Sequence, residues 1–271
     1  MESLTNYEKQ QVKEIEKWKV QEPNVVVKGF GKLLSSLAKV AEVVIPTAAI
    51  EAALHGGNAV GKFLADEGDI CRDGDVTSIE ELRRKDLAIS DNLADEVHNW
   101  AIGLAGGEGA AAGWAGLPGI AADIPALMIL TMRTIHKIGL CYGYKAESEA
   151  EKQFALEILS TAGANSLKEK RAALLELAAL KNILVKEAWK VIEKKAAERG
   201  VQQAILILIK QLCKQLGINL TKRKALQVIP GIGMFVAAAI NANYIRDVGY
   251  AARRIYQERW LTENHKWDGG R

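Results

Sequence analysis

The sequence predicts an all-α protein, and three observations carry that expectation. Apolar residues recur at three- and four-residue spacing through most of the chain. Helix-start signatures, a Ser or Thr followed three positions later by Glu, punctuate it. No segment alternates at the period of two that a half-buried strand requires. The architecture expected is a single multi-helix domain with two central Gly/Ala-rich apolar helical hairpins. With 271 residues, 49% hydrophobic and 25% charged, the chain can bury a core without disulfide or metal staples.

Residues 6–20 read as a polar helix with Tyr7, Val12, Ile15 and Trp18 on its contact face, and Pro23 ends it. Residues 24–44 carry a strong apolar stripe opposite Lys28, Lys32 and Lys39, the pattern of a helix lying on a membrane or of a core helix with a solvated lysine face. Pro46 opens the next helix, to about Ala65. An acidic loop at 66–75 follows, then a helix start with two overlapping capping boxes, Thr77/Glu80 and Ser78/Glu81. Further helices are expected over 88–105, 121–142, 148–162, 167–198, 200–216 and 232–260, with Ser148/Glu151 and Ser166/Glu169 as capped starts and Gly217 as a C-terminal cap.

Two segments carry almost no charge. Between Asn99 and Met132 only Glu108 and Asp123 are charged, and its Gly106–Gly116 run is poor helix material. The 21 residues from Ala225 to Ile245 have no charge, long enough to cross a bilayer but notched by Gln227, Pro230, Gly231, Gly233, Asn241 and Asn243. Both contain Pro-Gly-Ile, at 118–120 and 230–232. Their small residues allow close helix contacts, either in a buried core or in a membrane.

Net charge is +3, unevenly placed: residues 1–165 hold 16 Lys+Arg against 24 Asp+Glu (−8), and 166–271 hold 20 against 9 (+11). Either the halves attract each other or the basic half faces an anionic partner. Cys71, Cys141 and Cys213 are widely spaced and read as reduced thiols. The polar start, Met1 to Asn6, lacks the basic and apolar regions of a signal peptide, so a cytoplasmic location is expected.

Several polar groupings are candidates for function. Asp123 falls in an apolar stretch, and Arg133 and His136 share a helix face. A buried Asp–Arg pair is the structural reading; binding of an anionic head group by Arg133 and His136 is the functional one. Asn241, Asp247 and Arg254 form a second polar set beside the other uncharged segment. In the stretch 69–80, Asp69, Asp73, Asp75 and Glu80 give a partial match to a calcium loop, weakened by Cys71 at a ligand position; no metal or other cofactor is expected. Asp91, Asp95 and His98 share a face and read as solvated rather than as metal ligands. Lys222, Arg223 and Lys224 stand immediately before the apolar 225–245 segment, which favours lipid over nucleic acid.

A set of ordered motifs adds a resemblance. Gly116-Leu117-Pro118-Gly119-Ile120 continues through Asp123, Arg133 and His136 to Tyr142-Gly143-Tyr144; Ile229-Pro230-Gly231-Ile232-Gly233, Asn241, Asp247-Val248-Gly249-Tyr250 and Arg253-Arg254 follow. From Trp18 to Leu261 the chain resembles the EcsC family of bacterial proteins, named for a protein encoded beside an ABC transporter. The resemblance implies a fold more than a mechanism. Two departures are Lys145, where an acidic residue is expected, and the acidic loop at 66–75. The chain then divides into an N-terminal helix (1–22), an EcsC-like helical domain (23–263) and a tail (264–271).

The function expected is non-enzymatic: a protein at the inner face of the cell membrane that binds anionic lipid or a membrane partner. Two alternatives stand beside it, an accessory of an ABC transporter acting by protein contacts, and a hydrolase using Asp123 and His136.

Overall fold

The computed structural model describes residues 3–23, 65–114, 116–164, 166–185 and 233–269. Among them the secondary structure is wholly helical, in a single helical domain, as the apolar spacing predicts. The helices expected over 24–44, 46–65 and 200–216 lie outside the described residues, as do Lys28, Lys32, Lys39, Lys222, Arg223 and Lys224.

Helix α1 spans Asn6–Val20, the expected limits. It opens on a capping box: the Thr5 hydroxyl accepts from the Glu8 amide at 3.2 Å, and the Glu8 carboxylate accepts from the Thr5 amide at 2.8 Å. Ile15 and Trp18 are buried, with Tyr7 and Val12 packed against the same core.

The 66–75 stretch is a helix rather than a loop. Helix α2 spans Glu67–Asp73, and Asp66 caps it by accepting from the Gly68 amide at 2.9 Å. Acidic side chains gathered at a helix start complement its dipole, so this composition suits a helix N-terminus. The Thr77 and Ser78 hydroxyls donate to the Glu81 carboxylate, and the Ser78 side chain caps no amide. The expected α-helix start there becomes one 3-10 helix, Ile79–Arg84.

Helix α3 (Leu87–Trp114) and helix α4 (Gly116–Cys141) form an antiparallel hairpin, the first of the two expected. The glycine-rich run does not end α3, which continues nine residues past the expected limit at 105. Tertiary packing overrides glycine's poor propensity: a Cβ built on Gly106 would stand 4.0 Å from the Ala242 side chain, a close helix approach. Helices α5 (Glu149–Gly163) and α6 (Leu167–Val185) form another hairpin, and the second expected one, at 225–245, lies in part outside the described residues. The Ser148 and Ser166 hydroxyls accept from the Glu151 and Glu169 amides, each at 3.2 Å.

Helix α7, Gly233–Glu263, is the axis of the bundle and packs on α3, α4, α5 and α1. Side-chain contacts fix its sense against α3. Asp91 meets Gln257, Asp95 meets Arg253, His98 lies on Gly249 and Gly106 faces Ala242, so the two helices run antiparallel in a steady register. The uncharged parts of α3 and α7 therefore meet each other.

The Tyr142-Gly143-Tyr144 turn follows α4 at the open end of the α3–α4 hairpin, beside Asp91 near the start of α3. Tyr142 and Tyr144 stack on Tyr256 of α7, at ring-centre distances of 6.2 and 5.7 Å. Gly143 has φ +87°, and a Cβ there would meet Arg83 Cγ at 2.5 Å, so the turn needs glycine on two counts. Arg259 is buried between the Tyr144 and Phe154 rings and makes two 2.7 Å hydrogen bonds to Glu151. That bidentate pair ties α7 to α5.

Candidate functional site

Two polar features are built into this bundle, and they adjoin. The first is a buried network centred on Asp91, whose side chain is inaccessible to solvent. Its carboxylate accepts from Tyr7 Oη at 2.6 Å, from Tyr142 Oη at 2.5 Å and from Gln257 Nε2 at 2.7 and 2.8 Å. Arg253 Nε stands 3.6 Å away, and the same guanidinium donates to Asp95. Three segments distant in sequence thus supply donors to one carboxylate. Burial, reinforced by Asp91, pushes the Tyr7 and Tyr142 hydroxyls well above their ordinary range, so both act as fixed donors at neutral pH.

The network extends through Gln257. Gln11 Oε1 accepts from Gln257 Nε2 at 3.2 Å and from Arg254 Nη1 at 2.8 Å. Arg254 also donates to Tyr250 Oη at 3.1 Å, and its guanidinium lies over the Tyr250 ring. The reading of Asp91, Asp95 and His98 as a solvated face is corrected here: Asp91 and His98 are buried, and only Asp95 is partly exposed. The physical reason is that α7 covers this face of α3 with matching donors. His98 Nε2 lies 3.0 Å from the Arg246 carbonyl, and burial lowers its pKa despite that bond.

The second feature is a cavity of about 310 Å³ between the C-terminal end of α1, the α5–α6 turn and α7. Tyr250 is part of its wall, so the network ends where the cavity begins. Lys170 of α6 also lines it, though its side chain is only 4% exposed. The ammonium donates to the Trp18 carbonyl and to the Gln21 carbonyl at 3.2 Å, and lies 4.3 Å from the Trp18 ring centre. Burial, partly offset by Asp247, brings its pKa down to about 8.

The residues singled out in the sequence are distributed as follows. Asp247 lines the cavity beside Arg246, whose nearest guanidinium nitrogen is 4.0 Å from it. Arg254 belongs to the Asp91 network, and Asn241 is buried further along α7. The second polar set is therefore split along the helix rather than gathered. Arg133 stacks on Trp100 at 4.3 Å, and its Nη1 is buried without a hydrogen bond among the described residues. His136 is buried on α4. Asp123 falls in the first half of α4, where side chains lie outside the described residues.

The four calcium candidates stand apart. Asp69 takes the Lys137 ammonium, Asp73 takes Arg72 at 2.9 Å, and Glu80 takes Lys145 at 3.3 Å, while Asp75 sits at φ 49°. Among the described residues no three His, Cys, Asp or Glu side chains gather closely enough to hold a metal ion. Lys145 also reaches Glu67 at 2.8 Å, so the basic departure in the tyrosine turn pairs with the acidic departure in 66–75.

Sequence reasoning missed Gln11, Lys170, Arg253 and Gln257. Gln11 and Lys170 stand among other polar residues in the sequence, and the partners of all four lie about 150 to 250 positions away, so no local signal marked them.

A helical bundle with a buried polar network running into a small cavity is the class of protein defined here. The chain belongs to the EcsC protein family, whose model matches residues 9–261. It is also 24% identical over 287 residues to the "Uncharacterized protein YdbA" of Bacillus subtilis (strain 168), covering 95% of this chain and 94% of that one. No solved structure matches it.

Proposed function

We propose that the protein binds an anionic membrane surface from the cytoplasmic side, through the charge-poor end of the α3–α4 hairpin, without catalysing a reaction. One observation carries the reading. Trp100 and Leu104 of α3 are 52% and 38% exposed, and Asn99, Gly103 and Gly107 lie exposed along the same face. That stripe has no charge of its own, and the Arg133 guanidinium stands against Trp100. A tryptophan beside an arginine suits the boundary between acyl chains and anionic head groups.

The described helices include none long and apolar enough to cross a membrane, which fits attachment to a surface. Burying two such side chains contributes about 2–4 kcal/mol, which alone corresponds to millimolar binding. Basic residues near an anionic surface add about 1 kcal/mol each, so binding should depend on lipid charge.

Co-sedimentation with phosphatidylserine-containing vesicles tests it, with phosphatidylcholine vesicles as the comparison. Binding to the anionic vesicles, reduced by salt and by Trp100→Ala/Leu104→Ala, is expected. No binding to anionic vesicles, or undiminished binding by the double variant, overturns the proposal. Binding to native membranes but not to protein-free vesicles would instead select a membrane-protein partner.

A further inference from the structure

The cavity beside Lys170 does not belong to the membrane-facing stripe and needs its own account. We propose that it is a binding site for a small organic oxyanion, a phosphate or carboxylate whose body also carries a hydrogen-bond donor. Lys170 and Arg246 would hold the anionic group, Asp247 would accept from the donor, and Trp18 and Tyr250 would flank the body.

Four observations support this. The volume, about 310 Å³, is at the small end of ligand pockets, which run from about 300 to 1,000 Å³. A lysine ammonium has three N–H donors, and the Trp18 and Gln21 carbonyls take two of them. The third is the donor that a ligand oxygen would receive. A lysine acting only as a cap for α1 needs no open space at its side, yet this one borders a cavity lined by a second cation, Arg246, and by two carboxylates, Glu22 and Asp247. Thr161 adds a hydroxyl to the same wall, and the aromatic rings supply the apolar remainder. Small-molecule sites combine these parts: a few convergent polar groups in a concave, partly aromatic wall.

The charge on Lys170 gives the site a pH signature. Burial holds the ammonium down to about 8, so the free protein loses this charge as pH rises through that value. Affinity for an oxyanion should then fall by up to about tenfold per pH unit above it. A purely structural lysine would not produce that dependence.

The test uses the full chain and saturation-transfer NMR, with inorganic phosphate, glutamate and O-phosphoethanolamine as probes in the absence of membranes. Binding of O-phosphoethanolamine is expected, weakened about fivefold to tenfold by Arg246→Gln, abolished by Lys170→Met and declining above pH 8. Arg246 is half exposed, so its variant keeps the test valid if Lys170→Met fails to fold. No binding of any probe at millimolar concentration overturns the inference, as does binding that Arg246→Gln leaves unchanged. Competition by phosphatidylethanolamine vesicles would identify a lipid head group as the source of the ligand. Binding that such vesicles do not reduce would identify a soluble metabolite.

Discussion

Gly249→Ala sets two well-defined effects against each other, and the structure decides the sign. Gly249 lies within the 31-residue helix α7. Helix propensity alone predicts that alanine there stabilises the protein by about 1 kcal/mol. But an added Cβ would stand 2.2 Å from His98 Cδ2, 2.6 Å from Nε2 and 2.8 Å from Cγ. The imidazole is rigid, buried, and held by its 3.0 Å contact with the Arg246 carbonyl. Either the ring rotates and loses that bond or α3 and α7 move apart. Overpacking costs about 1–3 kcal/mol, and the lost bond about 1 kcal/mol. Subtracting the propensity gain leaves a net destabilisation of about 1–3 kcal/mol. Urea and thermal unfolding of Gly249→Ala, His98→Ala and the double variant measure it. With the ring removed, Gly249→Ala should recover its propensity gain, giving a coupling energy of about 2 kcal/mol or more. A stabilised single variant refutes the reasoning, as does a cost that persists in the His98→Ala background.

Asp91→Ala removes the shared acceptor of Tyr7, Tyr142 and Gln257 and leaves Arg253 with only the partly exposed Asp95. A loss of about 3–5 kcal/mol is expected in urea unfolding, and a loss below 1 kcal/mol would mean that the network contributes little to stability. Glu157 faces Glu176 across the α5–α6 hairpin, and burial together with that second carboxyl raises its pKa to about 7 from 4.5. The folded state therefore binds more protons than the unfolded state between these values, so this contribution is complete below pH 4.5 and lost as pH rises through 7. Glu157→Gln should raise stability by about 1–3 kcal/mol at pH 8 and much less at pH 5, and the difference between thermal melts at the two pH values checks it.

Local signals in the sequence located the helices well. The Ser148 and Ser166 starts each satisfy an amide three residues on, and α1 spans the expected limits. Two local expectations fail, the loop at 66–75 and the Ser78 cap, and the other failures are inferences that needed a partner. Asp91 and His98 read as solvated because polar residues usually face water, whereas α7 meets them with Gln257, Arg253 and the Arg246 carbonyl. The Gly106 run read as a break because its cost is local, while the close approach to Ala242 that offsets it is not. The cavity was invisible for the same reason: Trp18, Thr161, Lys170 and Tyr250 come from four separate helices. Asp247 and Arg254 stand out in the sequence as polar residues, but their spacing along one helix could not reveal that one lines a cavity and the other joins a buried network.

The uneven charge of the chain now separates into two parts. In the described residues the basic C-terminal part pairs with acids of the first half: Arg253 with Asp91 and Asp95, Arg259 with Glu151, and Lys266 with Glu8 at 2.7 Å. Attraction between the halves therefore accounts for these cations. Residues 186–232 hold 10 Lys+Arg against 3 Asp+Glu, so +7 of the +11 in residues 166–271 falls there, including Lys222, Arg223 and Lys224. An anionic surface would draw on that excess, at about 1 kcal/mol per charge close to it. Lys222→Glu/Lys224→Glu should accordingly weaken binding to phosphatidylserine vesicles at low salt and leave the melting temperature unchanged. A lower melting temperature would assign the cluster to an internal pairing instead. Undiminished vesicle binding would leave the α3–α4 stripe as the whole attachment, and the salt dependence would then have to disappear with Arg133→Gln.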